Sequence, residues 1–143
     1  MSVSKVLRKS LIRPMSLIGL ISLMGLIGLM GCGELSPEEQ ASLAAKGYYE
    51  HLMAGEYDAY MQGVSGTADM PDDYVEQLRW SAKQYVARLK QLHQGVEAVE
   101  VSNARADTTQ HLMQVMLILR FTDGAREEIC VPMVEHDGRW VIK

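Results

Sequence analysis

Four histidines, two cysteines and a few adjacent acids are the obvious reactive side chains of this 143-residue chain. His51, His93, His111 and His136 never stand three to five residues apart, so no helical face offers two imidazoles to one metal ion. A solvated or helix-capping role is expected for each, and neither a metal nor a cofactor is expected. Cys130 sits between Ile129 and Val131 in an apolar context. A reactive thiol needs access and cationic neighbours, so Cys130 reads as a small hydrophobe in a strand. Asp72-Asp73 and Glu127-Glu128 are sequence neighbours. Adjacent carboxylates do not face each other as an acid and base pair, and both dyads read as solvated surface. Gly63-Val64-Ser65-Gly66 falls one residue short of a nucleophile elbow. Tyr48, Tyr49 and Tyr60 could supply hydroxyls to an interior. No convergent catalytic set emerges, so the expectation leans away from an enzyme.

Charge separates the chain into two parts. Of 14 basic residues four (Lys5, Arg8, Lys9, Arg13) precede position 31, where there is no acid. The ten remaining face all 18 acids, a net charge of −8 beyond residue 31. Such an acidic body excludes a nucleic-acid binder, which needs a basic face. The basic start precedes an uncharged run from Pro14 to Gly33, the order of a secretory signal. Leu29-Met30-Gly31-Cys32 then resembles the bacterial lipobox. That resemblance implies a diacylglycerol on the Cys32 thiol and cleavage between Gly31 and Cys32. Residues 1–31 are thus expected to be a lipoprotein signal peptide, 32–35 a lipidated tether and 36–143 one domain. A retained transmembrane helix and a plain secretory signal are the alternatives, since the uncharged run is long enough to span a bilayer. Gly33 stands where an Asp would retain a lipoprotein in the inner membrane under the enterobacterial sorting pattern. The expected place is therefore the cell envelope, lipid-anchored, with the outer membrane favoured.

The elements that must position the remaining residues follow from periodicity. Ser36-Pro37-Glu38-Glu39 is a capping box with proline at the first helical position. The helix is expected to reach Ala54, with Gly55 as its cap. A short helix is expected over Glu56–Gln62, a loop over 63–70, and a long helix from Pro71 to His93, ended by Gly95. Its apolar stripe is Tyr74, Val75, Leu78, Ser81, Ala82, Tyr85, Leu89 and Leu92. From Val96 the period becomes two. Val99 and Val101 share one strand face, and Met113, Val115, Leu117, Leu119 and Phe121 share the next. Ile129, Val131 and Met133 follow beyond Asp123-Gly124, and Trp140-Val141-Ile142 beyond Asp137-Gly138. Pro132 is expected at an edge or bulge. Helices followed by an antiparallel meander make an α+β domain.

This order resembles the nuclear transport factor 2-like fold, also called SnoaL-like or ketosteroid-isomerase-like. The resemblance rests on Tyr48-Tyr49 with Ala54-Gly55-Glu56-Tyr57, the Asp123-Gly124 unit and the ending from His136 to Lys143. It implies a cone, with helices packed in the concave face of a curved antiparallel sheet.

Two surfaces are candidates for partners. Trp80 falls opposite the long helix's apolar stripe, free to contact a partner or to pack under the 63–70 loop. Leu112, Met116, Ile118, Cys130, Val134 and Val141 make the back of the sheet half apolar, which suggests a homodimer or a protein partner. The expected function is a membrane-tethered binding or scaffold module. The alternative is a small enzyme or apolar-metabolite binder using a cone interior lined by Tyr48, Tyr49, Tyr60, Met113 and Phe121.

Overall fold

The computed structural model describes residues 33–143. The signal segment, Gly31 and Cys32 lie outside the described residues. Helix α1 (Pro37–Met53) starts on the Ser36 capping box, with the Ser36 hydroxyl accepting from the Glu39 N–H and the Glu39 carboxylate accepting from the Ser36 N–H. It ends one residue before the expected place. Ala54 is the cap, and Gly55 adopts φ 81°, the left-handed turn that glycine enters without steric cost. Helix α2 (Tyr57–Gln62) is short. Helix α3 runs Asp72–His93, and Gln94 rather than Gly95 is its left-handed cap, at φ 71°.

Four antiparallel strands follow in meander order: β1 (Val96–Asp107), β2 (Leu112–Phe121), β3 (Arg126–His136) and β4 (Arg139–Ile142). Register shifts between Val96 and Ala98 and between Val101 and Asn103 mark bulges in β1, which bend an edge strand and increase its twist. Asp137 and Gly138 both take positive φ (52° and 77°), the two-residue turn whose twist suits a hairpin.

The alternating residues of β2 form the centre of the core. Val115, Leu117 and Leu119 are fully buried, and Met113 and Phe121 nearly so. Val131, Met133 and Ile142 extend that face, and Ala41, Ala45 and Leu89 close it from the helices. A second cluster of Leu52, Ala82 and Val86 joins α1 to α3. The helices thus fill the concave side of the sheet, as expected for an α+β cone.

Several expectations are corrected by packing. Of the expected α3 stripe only Ala82 and Leu89 are buried, together with Val86, which the stripe did not include, while Tyr74 and Leu92 are largely exposed. The 63–70 segment is not a free loop. The Ile142 N–H donates to the Gly63 carbonyl and the Ser65 N–H donates to that of Ile142, which pairs Val64 with β4, and Thr67–Asp69 forms a 3₁₀ turn. Pro132 pairs with Gln114 in an inner strand but lies just past the end of the β3–β4 ladder, so its free flank is a local edge and not a bulge. It is tolerated because its hydrogen-bonding side faces β4, which has ended there. The Pro132 carbonyl accepts from the Lys143 N–H on that flank, so the missing donor removes no bond to β2.

Candidate functional site

The residues expected to line an interior pocket are packed into the core. Tyr48 reaches from α1 to β4, donating its hydroxyl to the Trp140 carbonyl at 3.0 Å, and the Trp140 indole N–H donates to the Gln40 side chain at 3.3 Å. Gly63 makes the first contact possible, since a Cβ there would lie 2.3–2.5 Å from the Tyr48 ring. Tyr49 stacks on Tyr60 with centroids 6.0 Å apart. Met113 and Phe121 are 4% and 1% exposed. The structure therefore gathers the five residues around one core, but they fill it.

Burial governs the chemistry of the tyrosines. It pushes the Tyr49 phenol well above its usual range, with repulsion from ionised Tyr60 and Tyr85 adding to the shift. Burial likewise raises Tyr60 and Tyr85, the latter assisted by the negative charge of Glu127. These phenols stay neutral at physiological pH and serve as hydrogen-bonding groups rather than bases. Because their folded pKa values lie above the unfolded value near 10, the stability they contribute is complete below pH ~10 and falls as pH rises beyond it. Absorbance titration at 295 nm should show these three phenols ionising above the usual tyrosine range. Ordinary titration of these three half-buried phenols in the folded state would refute this.

At the other end of the sheet His93 closes α3 onto the β2–β3 turn. Its ring stacks on Phe121 (4.0 Å, 13°), and its Nδ1 lies 2.9 Å from the Asp123 carboxylate. The Ala125 N–H and then His93 hold the Asp123 carboxyl below its usual range. A lowered acid contributes stability above its unfolded pKa and loses it as pH falls. Asp123→Asn should therefore flatten the acid limb of the stability profile. An unchanged acid limb in urea titrations at successive pH values would count against this contact.

Surface clefts lie elsewhere. The largest, about 1050 Å³, opens between the α2–α3 region and the β3–β4 hairpin. Met61, Val64, Val75 and Val134 supply its apolar lining, and the rim carries charges of both signs, with Arg79, Arg139 and Lys143 beside Asp58, Asp69 and Glu135. Arg79 pairs there with Asp58, and Arg139 donates to the Gln62 carbonyl at 3.3 Å. Sequence reading missed this cleft, since Asp58 and Arg79 stand 21 positions apart and meet only through helix packing. A shallower apolar groove of about 450 Å³ runs between α1 and β1, beside Leu35, Leu43 and Val101. Among the described residues, no group of three or more His, Cys, Asp or Glu side chains is placed to hold a metal ion, and no helix is long and apolar enough to cross a membrane.

The two expected partner surfaces turn out to be separate. Trp80 projects from α3 at 63% exposure, so it does not pack under the 63–70 segment. Met116, Ile118 and Val134 lie half-buried on the convex face of the sheet, opposite the helices, beside exposed Cys130. Leu112 and Val141 are corrected: at 8% and 3% exposure they offer almost nothing to a partner.

The fold is that of the nuclear transport factor 2-like proteins, an α+β cone with helices in the concave face of a curved sheet. A solved structure labelled a candidate NTF2-like transpeptidase, from Campylobacter jejuni, has the same architecture, with a TM-score of 0.56 and 14% identity over 68% of this chain and 92% of that one. No family model and no curated protein matches the chain.

Proposed function

We propose that this chain is a lipid-anchored cell-envelope protein whose cone-shaped domain is a non-catalytic binding or scaffold module. The anchor rests on Leu29-Met30-Gly31-Cys32, placed directly after the uncharged run. The non-catalytic reading rests on the filled interior: the side chains that would line a substrate pocket are packed against one another. Binding then falls to outer surfaces, namely the cleft rimmed by Arg79 and Arg139 and the convex face around Met116, Ile118 and Val134. A transpeptidase reading gains no support. Acyl transfer needs a nucleophile beside a base, and among the described residues neither Cys130 nor any serine hydrogen-bonds to a histidine.

Only Gly33 to Ser36 separate Cys32 from α1. Four residues span at most ~14 Å, so an acylated Cys32 would hold the domain close to the bilayer. The absence of an inner-membrane retention Asp at position 33 favours the outer membrane in this reading. Mass spectrometry of the native protein should find an N-terminal Cys32 carrying acyl chains. An intact Met1, or an unmodified Cys32, would overturn the proposal.

A further inference from the structure

Helix α3 has a second face. Its core side is carried by Ala82, Val86 and Leu89. On the outward side Gln77, Trp80, Gln84, Ala87 and Gln91 recur at intervals of three, four, three and four residues, the spacing of a coiled-coil seam. All five are exposed, and none carries a charge. A charge-free stripe of four turns with an exposed Trp in its first turn is unusual in a chain that carries a net charge of −8 beyond residue 31.

The flanking charges indicate what would cover it. Glu76, Lys83 and Lys90 run along one side of the seam, and Tyr74, Ser81 and Arg88 along the other. A parallel pair of α3 helices would set Lys83 against the partner's Arg88 twice, a repulsive arrangement. An antiparallel pair centred near Ala82 places Trp80 against Gln84 and Gln77 against Ala87 of the other copy. It also sets Glu76 opposite Lys90 and Tyr74 opposite Arg88, each twice. Lys83, which would meet its own copy near the two-fold axis, is drawn away over the Tyr57 ring of α2, 5.8 Å from the centroid. Lys90 and Arg88 form no ion pair among the described residues, whereas Glu76 pairs with Arg79 of its own helix at 3.3 Å and would share its carboxylate with Lys90 of the other copy.

We propose that the outward face of α3 is a self-association surface, on which a second copy of this chain docks its own α3 antiparallel about a two-fold axis. The proposal is independent of the lipid anchor. A small, partly polar seam of this kind makes a weak dimer.

The register gives a direct test. Ser81 lies beside the two-fold axis and faces its own copy, whereas Gln91 lies at the end of the seam. Ser81→Cys and Gln91→Cys are each introduced into the full-length Cys130→Ser chain in native membranes, oxidised mildly and run on non-reducing gels, with folding checked by circular dichroism of the purified variants. Ser81→Cys should form a disulfide homodimer, and Gln91→Cys about tenfold less. Adding Lys90→Glu should reduce the Ser81→Cys dimer about fivefold, and the swap Glu76→Lys with Lys90→Glu should restore it. Four outcomes would overturn the proposal: no dimer at position 81, equal dimer at 81 and 91, no rescue by the swap, or a cross-link from position 81 to a different protein. A native dimer linked through Cys130 in place of position 81 would also overturn it, by moving the interface to the convex face of the sheet.

Discussion

Cys32→Ala should accumulate as the uncleaved chain, with no incorporation of labelled palmitate, where the proposal expects the parent to be processed almost completely. The effect is expected to be all-or-none, because the proposed lipid would be carried on a thioether and alanine has no sulfur. The proposed cleavage acts on the lipidated residue, so losing the lipid also loses the cut. Membrane fractionation alone would be a poor readout. The uncut variant keeps the uncharged run from Pro14 to Gly33, and about 20 apolar residues suffice to hold a chain in a bilayer. The mass of the N-terminus and the presence of acyl groups are the discriminating measurements. Cleavage of the alanine variant between positions 31 and 32 would reassign the segment to an ordinary secretory signal. Anchoring by the mature protein has a similar arithmetic: one acyl chain binds only marginally, and two or more, at ~0.8 kcal/mol per buried CH₂, hold stably.

Phe121→Ala carries the largest expected effect on the domain itself. The ring is 1% exposed at the end of β2, stacked on His93, and its backbone N–H donates to the Ala125 carbonyl to close the β2–β3 turn. Truncation removes the buried ring, opens a cavity and deprives the C-terminal turn of α3 of its stacking surface. A loss of about 3–5 kcal/mol is expected, against a total stability of ~5–15 kcal/mol for a domain of this size. Urea unfolding should show it as a fall in midpoint, with amide exchange rising first near His93. Tyr74→Ala, on an exposed position of the same helix, should stay within about 0.5 kcal/mol and serves as control. A Phe121→Ala loss below about 1 kcal/mol would mean that the ring is not part of the cooperative core.

Much of the fold was legible because its strongest signals are local. The Ser36 capping box, the Asp137-Gly138 turn and the two-residue alternation from Met113 to Phe121 each depend on a few adjacent residues, and all three occur as expected. The α3 stripe was less legible. Its roughly six turns offer more apolar positions than α1 and α2 can cover, so Tyr74 and Leu92 remain in solvent while Ala82 and Val86 take the contact. Asp58 and Arg79 could not be paired from spacing, since nothing in either neighbourhood refers to the other.

The amino-acid sequence by itself determined the order of elements, the face of β2 that is buried and the charge division at residue 31, because these follow from periodicity and backbone preference within a few residues. Tertiary structure alone decided that the cone interior is filled, that residues 63–65 pair with β4, that Pro132 fits an inner strand and that α3 keeps an uncharged outward seam. Each of these depends on which side chain arrives opposite which across a long stretch of chain. Close packing, and the need of every buried polar group for a partner, select among arrangements that local rules leave equivalent.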